Sequence, residues 1–315
     1  MPVAEPRVLR MIDPAHRTAS DSPRSLLAPT LSEIRRVCRE YHAAFGRYPN
    51  LLRPRRFSEK IQWRKLFDLD PVYAVVTDKL AAREFIAARA GTACLPSLLW
   101  DGDAVEDIPF DTLEPPYVLK CTHGSSFNVF VLDRAKLDIA AARQKLRGWL
   151  ATNYGNIYRE PGYILLRPRL LAERMLLEAD GTPALEHKIF VFGGKERMIH
   201  SVAVNRERTR FDSFHDRDWR PLAWRGINPP LERDLERPAQ LDNFLALAEQ
   251  LAAGFDHLRV DLYEWRGEPR AGELTPYNWS GTTEFQPEEA ELTLGEWWRL
   301  RSPVSRALAS MLSFH

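Results

Sequence analysis

Apolar residues along the 315-residue chain change their spacing near residue 95. Before that point they recur at helical intervals. Thr30-Leu-Ser-Glu33 reads as a capping box opening a helix that Gly46 closes. A second helix is predicted in "SEKIQWRKLF" from Ser58, and a third in "DKLAAREFIAARAG", with Asp78 as cap and Gly91 as stop. Beyond residue 95 the period shortens towards two, and "YVLKCTHGSSFNVFV" reads as two strands around a small polar loop. A helix "LDIAAARQKLRGWLATNYG" and a strand "RLLAERML" follow. Next comes a hairpin, "LEHKIFVF" and "KERMIHSVAV", turning at Gly193-Gly194. "RTRFDSFHD" adds a strand and "LDNFLALAEQLAAGF" an amphipathic helix. A second hairpin pairs "LRVDLYEW" with "EPRAGELT", and a last helix is predicted over 294–312. Residues 1–29, with five prolines and no apolar period, read as an arm. The order of elements predicts an α+β protein with largely antiparallel sheets.

The second hairpin carries the most chemistry. With a three-residue loop centred on Gly267, Asp261 falls directly opposite Glu273, on one face and about 5 Å apart. Two carboxylates so placed repel unless a cation sits between them, and hard oxygens suit magnesium. Arg259 and Thr275 share that face, while Val260, Leu262 and Leu274 point to the core. The alternative is the polar, solvent-facing side of an ordinary hairpin, and a two-residue loop would break the pairing. Removing either carboxylate, as in Asp261→Asn or Glu273→Gln, is then expected to stop metal-dependent turnover and leave the fold nearly intact.

Lys120 lies inside an apolar strand with no acidic partner nearby in sequence, where an unpaired charge is costly. Phosphates held at the polar face would supply one, and Lys188 in "HKIFVF" is placed similarly. Gly124, Ser125 and Ser126 would offer backbone N–H and hydroxyl donors over them.

Composition narrows the class without naming it. Basic and acidic residues nearly cancel, 44 against 43, which argues against a nucleic-acid partner. The excess is local, with twelve Arg or Lys and six Asp or Glu in residues 1–60. That segment reads as a solvated arm, or as a patch for an anionic polymer or surface. Three cysteines, Cys38, Cys94 and Cys121, have no paired spacing and predict reduced thiols in a cytoplasmic enzyme. No apolar run reaches a membrane span and no signal-peptide segment is evident. Walker A, GxGxxG and GxSxG patterns are absent. Cys121-x-His123 reads as a packed thiol beside a loop imidazole, and His187, His200 and His215 as surface or core histidines. Trp279, beside the carboxylate hairpin, is a candidate for the wall of an acceptor pocket.

Taken together, "FSEKIQWRKLFDLDP", "TDKLAAREFI", "YVLKCTHGSS", "LLAERML", "HKIFVFGGK" and "LRVDLYEWRGEPRAGELT" resemble, in order, the ATP-grasp superfamily and its TupA-like branch. The resemblance implies a helical N-terminal region and ATP held between two α+β subdomains. It divides the chain at 1–56, 57–116, 117–187 and 188–315. It also implies that Lys120 touches the ATP phosphates, with Gly124, Ser125 and Ser126 as the covering loop. Glu173, Arg174, Met175 and Leu176 become the adenine-holding strand, and Lys188 a second nucleotide-facing lysine. Asp261 and Glu273 become magnesium ligands with Thr275, which stands where many relatives have Asn. Arg259 is implied beside the transferred phosphoryl group, as a catalytic residue with Lys120.

The implied activity is ATP-dependent carboxylate–amine ligation through an acyl phosphate. The branch points to a sugar acid or polysaccharide acceptor and a small amine. A phosphotransferase on a sugar or alcohol, and a non-catalytic polysaccharide-binding relic, are the rival expectations.

Overall fold

The computed structural model describes residues 29–301, apart from Leu165, Arg206 and Arg208. The expected arm, except Pro29, lies outside the described residues. α1 (Leu31–Phe45) begins at the predicted capping box: Thr30 Oγ1 accepts from the Glu33 amide, and the Glu33 carboxylate accepts from the Thr30 amide at 2.7 Å. It ends at Gly46, whose φ of 68° suits a residue without Cβ. α2 (Phe57–Phe67) is buried nearly all round, including Glu59, Gln62, Arg64 and Lys65. Arg64 donates to the carbonyls of His257 and Pro276 and pairs with Asp256, so this charged helix is held by polar bonds within the core. α3 (Val72–Thr77) leads into α4 (Lys79–Ala90), capped by Asp78, which accepts from the amides of Leu80 and Ala81 at 2.9 Å.

Two antiparallel sheets follow. The first contains β1 (Leu98–Gly102), β2 (Tyr117–Cys121), β3 (Asn128–Val131) and β4 (Leu170–Arg174), in the order β1-β4-β2-β3. α5 (Ile139–Leu150) places Leu146 in the same core as Tyr117 and Leu119. The long helix expected here stops at Leu150. Asn153 accepts from the Asn156 amide and starts the separate α6 (Tyr154–Tyr158), followed by α7 (Pro161–Ile164).

The second sheet contains β5 (Leu185–Phe192), β6 (Lys195–Val204), β7 (Arg210–Asp216), β8 (His257–Trp265) and β9 (Glu268–Thr275), in the order β7-β6-β5-β8-β9. α8 (Leu241–Ala252) buries Leu241, Phe244, Leu245, Ala248 and Leu251 in the core formed with this sheet. α9 (Glu288–Trp297) overlaps only the start of the C-terminal helix expected over 294–312, and residues 298–301 are not helical. It starts earlier and ends at Trp298, whose extended backbone sets the fully buried indole against Phe57 and Arg64. Residues 302–312 lie outside the described part.

The β8–β9 hairpin departs from the expected turn and keeps the expected register. Its loop has two residues, Arg266 and Gly267, with φ of 55° and 77°, the signature of a type I′ turn. Trp265 therefore faces Glu268. A bulge at Gly272, between the Asp261 and Leu262 pairs, then inserts one residue into β9 and restores Asp261 opposite Glu273 and Arg259 opposite Thr275. A Cβ on Gly272 would lie 2.5 Å from Tyr263 Cε2.

We expect Gly272→Ala to destabilise the protein by about 1–3 kcal/mol through overpacking against Tyr263. Urea unfolding tests this, and an unchanged midpoint would show that the bulge tolerates a side chain.

Candidate active site

Paired residues on neighbouring strands point to the same side of a sheet, so β6, β5, β8 and β9 carry a polar row: His200, Lys188, Asp261, Glu273. Asp261 has 0% exposure, which rules out the solvent-facing alternative. Its Oδ1 accepts from Arg259 Nε and its Oδ2 from Arg259 Nη2, both at 2.7 Å. Lys188 Nζ donates to Oδ2 at 3.0 Å and lies 3.0 Å from Glu186 Oε1. Arg259 also donates to Thr275 Oγ1 at 3.1 Å and to Asn278 Oδ1 at 2.6 Å. Burial alone would raise the Asp261 pKa, but Arg259 and Lys188 hold it below the ordinary carboxylate range. Burial likewise opposes the charge on Arg259, and Asp261 outweighs it.

This network revises the expected cost of mutating the two carboxylates. Asp261 is not simply one of two repelling charges, because removing its charge strands Arg259 and Lys188 in the interior. Glu273 differs: its side chain makes no hydrogen bond or salt bridge among the described residues. Magnesium is commonly held by one or two carboxylates plus phosphate oxygens and water. Glu273 with the remaining lone pair of Asp261 fits that need, with the Thr275 hydroxyl beside them on Arg259. No group of three or more His, Cys, Asp or Glu forms a closed metal cage among the described residues.

The first sheet supplies the facing wall. Lys120 does have a carboxylate partner, supplied by β4, 53 residues along the chain: its Nζ lies 2.5 Å from Glu173 Oε2. Glu173 Oε1 accepts from Arg83 Nη1 at 2.6 Å, so two cations share one carboxylate. Burial would raise the Glu173 pKa, but Lys120 and Arg83 bring it below normal. Farther along, the amides of Arg174 and Met175 bond the carbonyls of Ser97 and Pro116, and the Leu176 carbonyl accepts from Ala184. The Arg174 guanidinium reaches the Glu114 carbonyl.

A cavity between the sheets is lined by Lys79, Arg83, Lys120, Glu173, Gly272 and Glu273. Lys79 and Arg83 were not assigned roles from sequence, although their four-residue spacing on α4 puts both on one face. Lys79 Nζ donates to the Gly124 carbonyl at 2.6 Å. Burial, then Lys120, push its pKa down, against the pull of Glu273. Gly124 has φ of 82° and Ser126 of 64°. A Cβ on Gly124 would lie 2.8 Å from the Tyr154 ring. The loop is thus packed and tethered at Gly124, while Ser125 and Ser126 are exposed. Lys120, Glu173 and Glu273 line the cavity, with Asp261, Arg259, Thr275 and Lys188 in the network beside Glu273. Arg174, Met175 and Leu176 do not line it.

Cys121 is buried, its thiol pushed up to about 12 by burial. The His123 ring lies within hydrogen-bond distance of the Trp149 and Thr152 carbonyls, matching the packed reading. Trp279 packs on Phe285 and lies nearly perpendicular to the His200 ring.

Asp261→Asn is expected to cost about 3 kcal/mol, as for breaking a buried pair, and Glu273→Gln to leave the melting temperature nearly unchanged. Equal melting temperatures for both variants would contradict the distinction. Glu173 has a lowered folded pKa, so its contribution is complete above the unfolded value of about 4.3 and fades as pH falls through the folded value. Glu173→Gln should therefore flatten the acid limb of stability against pH, and an unaltered limb would refute this.

No curated protein matches the sequence. Among solved structures the chain is similar to D-alanine–D-alanine ligase from Bacillus anthracis complexed with ATP, at 15% identity and a TM-score of 0.41, over 64% of this chain and 55% of that one. It is similar to L-amino acid ligase from Bacillus licheniformis at 13% identity and a TM-score of 0.46, over 79% and 56%. The ATP-grasp ligase PsnB, complexed with a phosphomimetic precursor variant, Mg and ADP, gives 14% identity and a TM-score of 0.41, over 80% and 65%. The chain thus spans 55% to 65% of the length of these three. No helix among the described residues is long and apolar enough to cross a membrane. The model of the TupA-like ATPgrasp family matches residues 59–299, and the chain, with its helices and two antiparallel sheets, belongs to that family.

Proposed function

We propose that the protein is an ATP-dependent carboxylate–amine ligase. The observation that carries this reading is the cavity in which Lys79, Arg83 and Lys120 face the unpaired Glu273. Three cations against the carboxylates of Glu173 and Glu273 leave one positive charge in excess for a polyphosphate, and Glu273 opposite is a magnesium ligand in search of phosphate oxygens.

In this reading ATP lies between the halves 117–187 and 188–315, with adenine along 173–176 and the phosphates beneath Gly124, Ser125 and Ser126. Lys120 and Lys79 neutralise phosphate oxygens, and Lys188 keeps the Asp261 side of the site charged and ordered. Asp261 and Glu273 hold magnesium, with Thr275 beside them. Bound there, the metal supplies charge neutralisation and polarises the transferring group. Arg259, fixed by Asp261, Thr275 and Asn278, has one Nη1 hydrogen and its positive charge left for the place where phosphoryl charge develops. A carboxylate oxygen of the acceptor attacks the γ-phosphorus and ADP leaves. The amine nitrogen then attacks the acyl carbon, the C–O bond breaks, and inorganic phosphate departs.

The acceptor we favour is a uronic acid of a cell-surface polysaccharide or its precursor, joined to an amino acid or similar amine. The family supports this choice, and the use of ATP suits a cytoplasmic enzyme.

Thermal unfolding with a non-hydrolysable ATP analogue tests the site. At a hundredfold excess over Kd, binding should add about 2.7 kcal/mol in the presence of magnesium. The gain should vanish in Lys120→Ala and lose its magnesium dependence in Glu273→Gln. Absence of a magnesium-dependent gain in the unmodified protein would overturn the nucleotide assignment. Phosphate release with uronic acids and amino acids then tests the acceptor, and phosphorylated acceptor without amide would point to a phosphotransferase.

A further inference from the structure

The basic excess of residues 1–60 plays no part in nucleotide handling, and the fold gathers some of it on one surface. The stretch "RYPNLLRPRR", Arg47 to Arg56, joins α1 to α2. A single buried carboxylate pins its base: Glu59, with 3% exposure, accepts from the amides of Asn50 at 3.1 Å, Arg55 at 2.8 Å and Arg56 at 3.0 Å. Asn50 Oδ1 accepts from the Arg53 amide at 3.0 Å and closes the tip. These bonds give the loop one shape, and that shape leaves Leu52 95% exposed and Tyr48 65%. A lone exposed leucine is ordinary on a soluble protein. Leu52 differs in its surroundings, because it is the most exposed large apolar side chain among the described residues, on a fixed projection, and arginines follow it.

Charge sets this surface apart. Arg47 pairs with Glu284, Arg56 with Glu288 and Arg36 with Glu40, so those acidic side chains are already engaged. Arg35, Arg39, Arg53 and Arg55 are exposed, and their guanidinium groups make no hydrogen bond or salt bridge among the described residues. Leu31, Arg35, Arg39 and His42 follow one another at intervals of three or four, which puts them on one face of α1, and Leu31 is 72% exposed. The His42 ring meets the Tyr48 ring with centroids 4.5 Å apart, joining that face to the loop. Four unpaired cations thus stand beside three projecting apolar side chains. A soluble polyanion would satisfy the arginines and leave Leu52 in water on most sides. A lipid layer surrounds whatever enters it, so only there does a side chain that touches almost nothing of its own protein become fully buried.

We propose that the loop 47–56, with the adjoining face of α1, seats the protein on an anionic phospholipid surface. Leu52 enters the acyl boundary, Tyr48 lies at the level of the headgroups with its hydroxyl outward, and the four guanidinium groups meet lipid phosphates. The contact is peripheral, since no helix among the described residues is long and apolar enough to cross a membrane. It is independent of the ligase reading.

Co-sedimentation of the full-length protein with vesicles tests the seat. In about 0.1 M salt, vesicles of phosphatidylcholine with roughly 30% phosphatidylglycerol should bind it, and phosphatidylcholine alone far less. The double variant Arg53→Gln, Arg55→Gln should bind about 25-fold more weakly, fivefold for each charge, and Leu52→Ser about tenfold more weakly. Both variants should keep the melting temperature and the magnesium-dependent gain from the ATP analogue, because none of the three side chains is buried or lines the cavity. Equal binding to the two kinds of vesicle overturns the proposal, as does a Leu52→Ser protein that binds like the unmodified one. Binding to polyglucuronate that is indifferent to Leu52→Ser, without binding to vesicles, would reassign the arginines to an anionic polymer. A concentration-dependent dimer abolished by Leu52→Ser, again without vesicle binding, would reassign the surface to a second copy of the chain.

Discussion

A carboxylate with no access to water lies inside the second sheet, on β8, and much of the site is arranged to make it tolerable. Asp261 cannot be charged there without Arg259 and Lys188. Arg259 in turn needs Thr275 and Asn278 for its remaining donors, which ties β8 to β9 and to the turn that follows. Lys188 needs Glu186 as well as Asp261. The pairs fix the side chains of three strands relative to one another, and Glu273 is left as the carboxylate free to engage something from outside.

The second dependency runs between the sheets. α4 carries Lys79 and Arg83, which bond the loop at Gly124 and the carboxylate of Glu173 in the first half, while other residues of the same helix pack near α8 and β9 of the second. α2 behaves comparably, with Arg64 reaching Asp256, His257 and Pro276. The helices that precede the sheets in sequence are therefore part of the framework that sets the width of the cavity.

Local signals made much of this legible. Thr30 and Glu33, Asp78, Gly46 and Gly91 mark helix ends by capping bonds, and the turns at Gly193-Gly194 and Arg266-Gly267 let β5, β6 and β9 be bounded to the residue. The motif order led to the family, and strand periodicity placed Arg259, Asp261, Glu273 and Thr275 on one face. What could not be read was long-range. Nothing near Lys120 in sequence announces Glu173, and the Lys188 ammonium on Asp261 comes from 73 positions away. The end of α9 is set by the packing of Trp298, and the separation of α5 from α6 by a cap at Asn153, both of which a continuing apolar period obscures.

The hairpin between β8 and β9 joins two features that would ordinarily be free to vary separately. Its tight turn is one residue shorter than the pairing of Asp261 with Glu273 needs, and the extra residue at Gly272 makes up the difference. Turn length and bulge therefore form a single unit of inheritance. An insertion at Arg266-Gly267 is tolerable only with a deletion at 272, because either change alone would turn Glu273 to the opposite face of the sheet. For anyone grafting or shortening this hairpin, the quantity to conserve is the number of residues between the two carboxylates, irrespective of where along the hairpin they are spent.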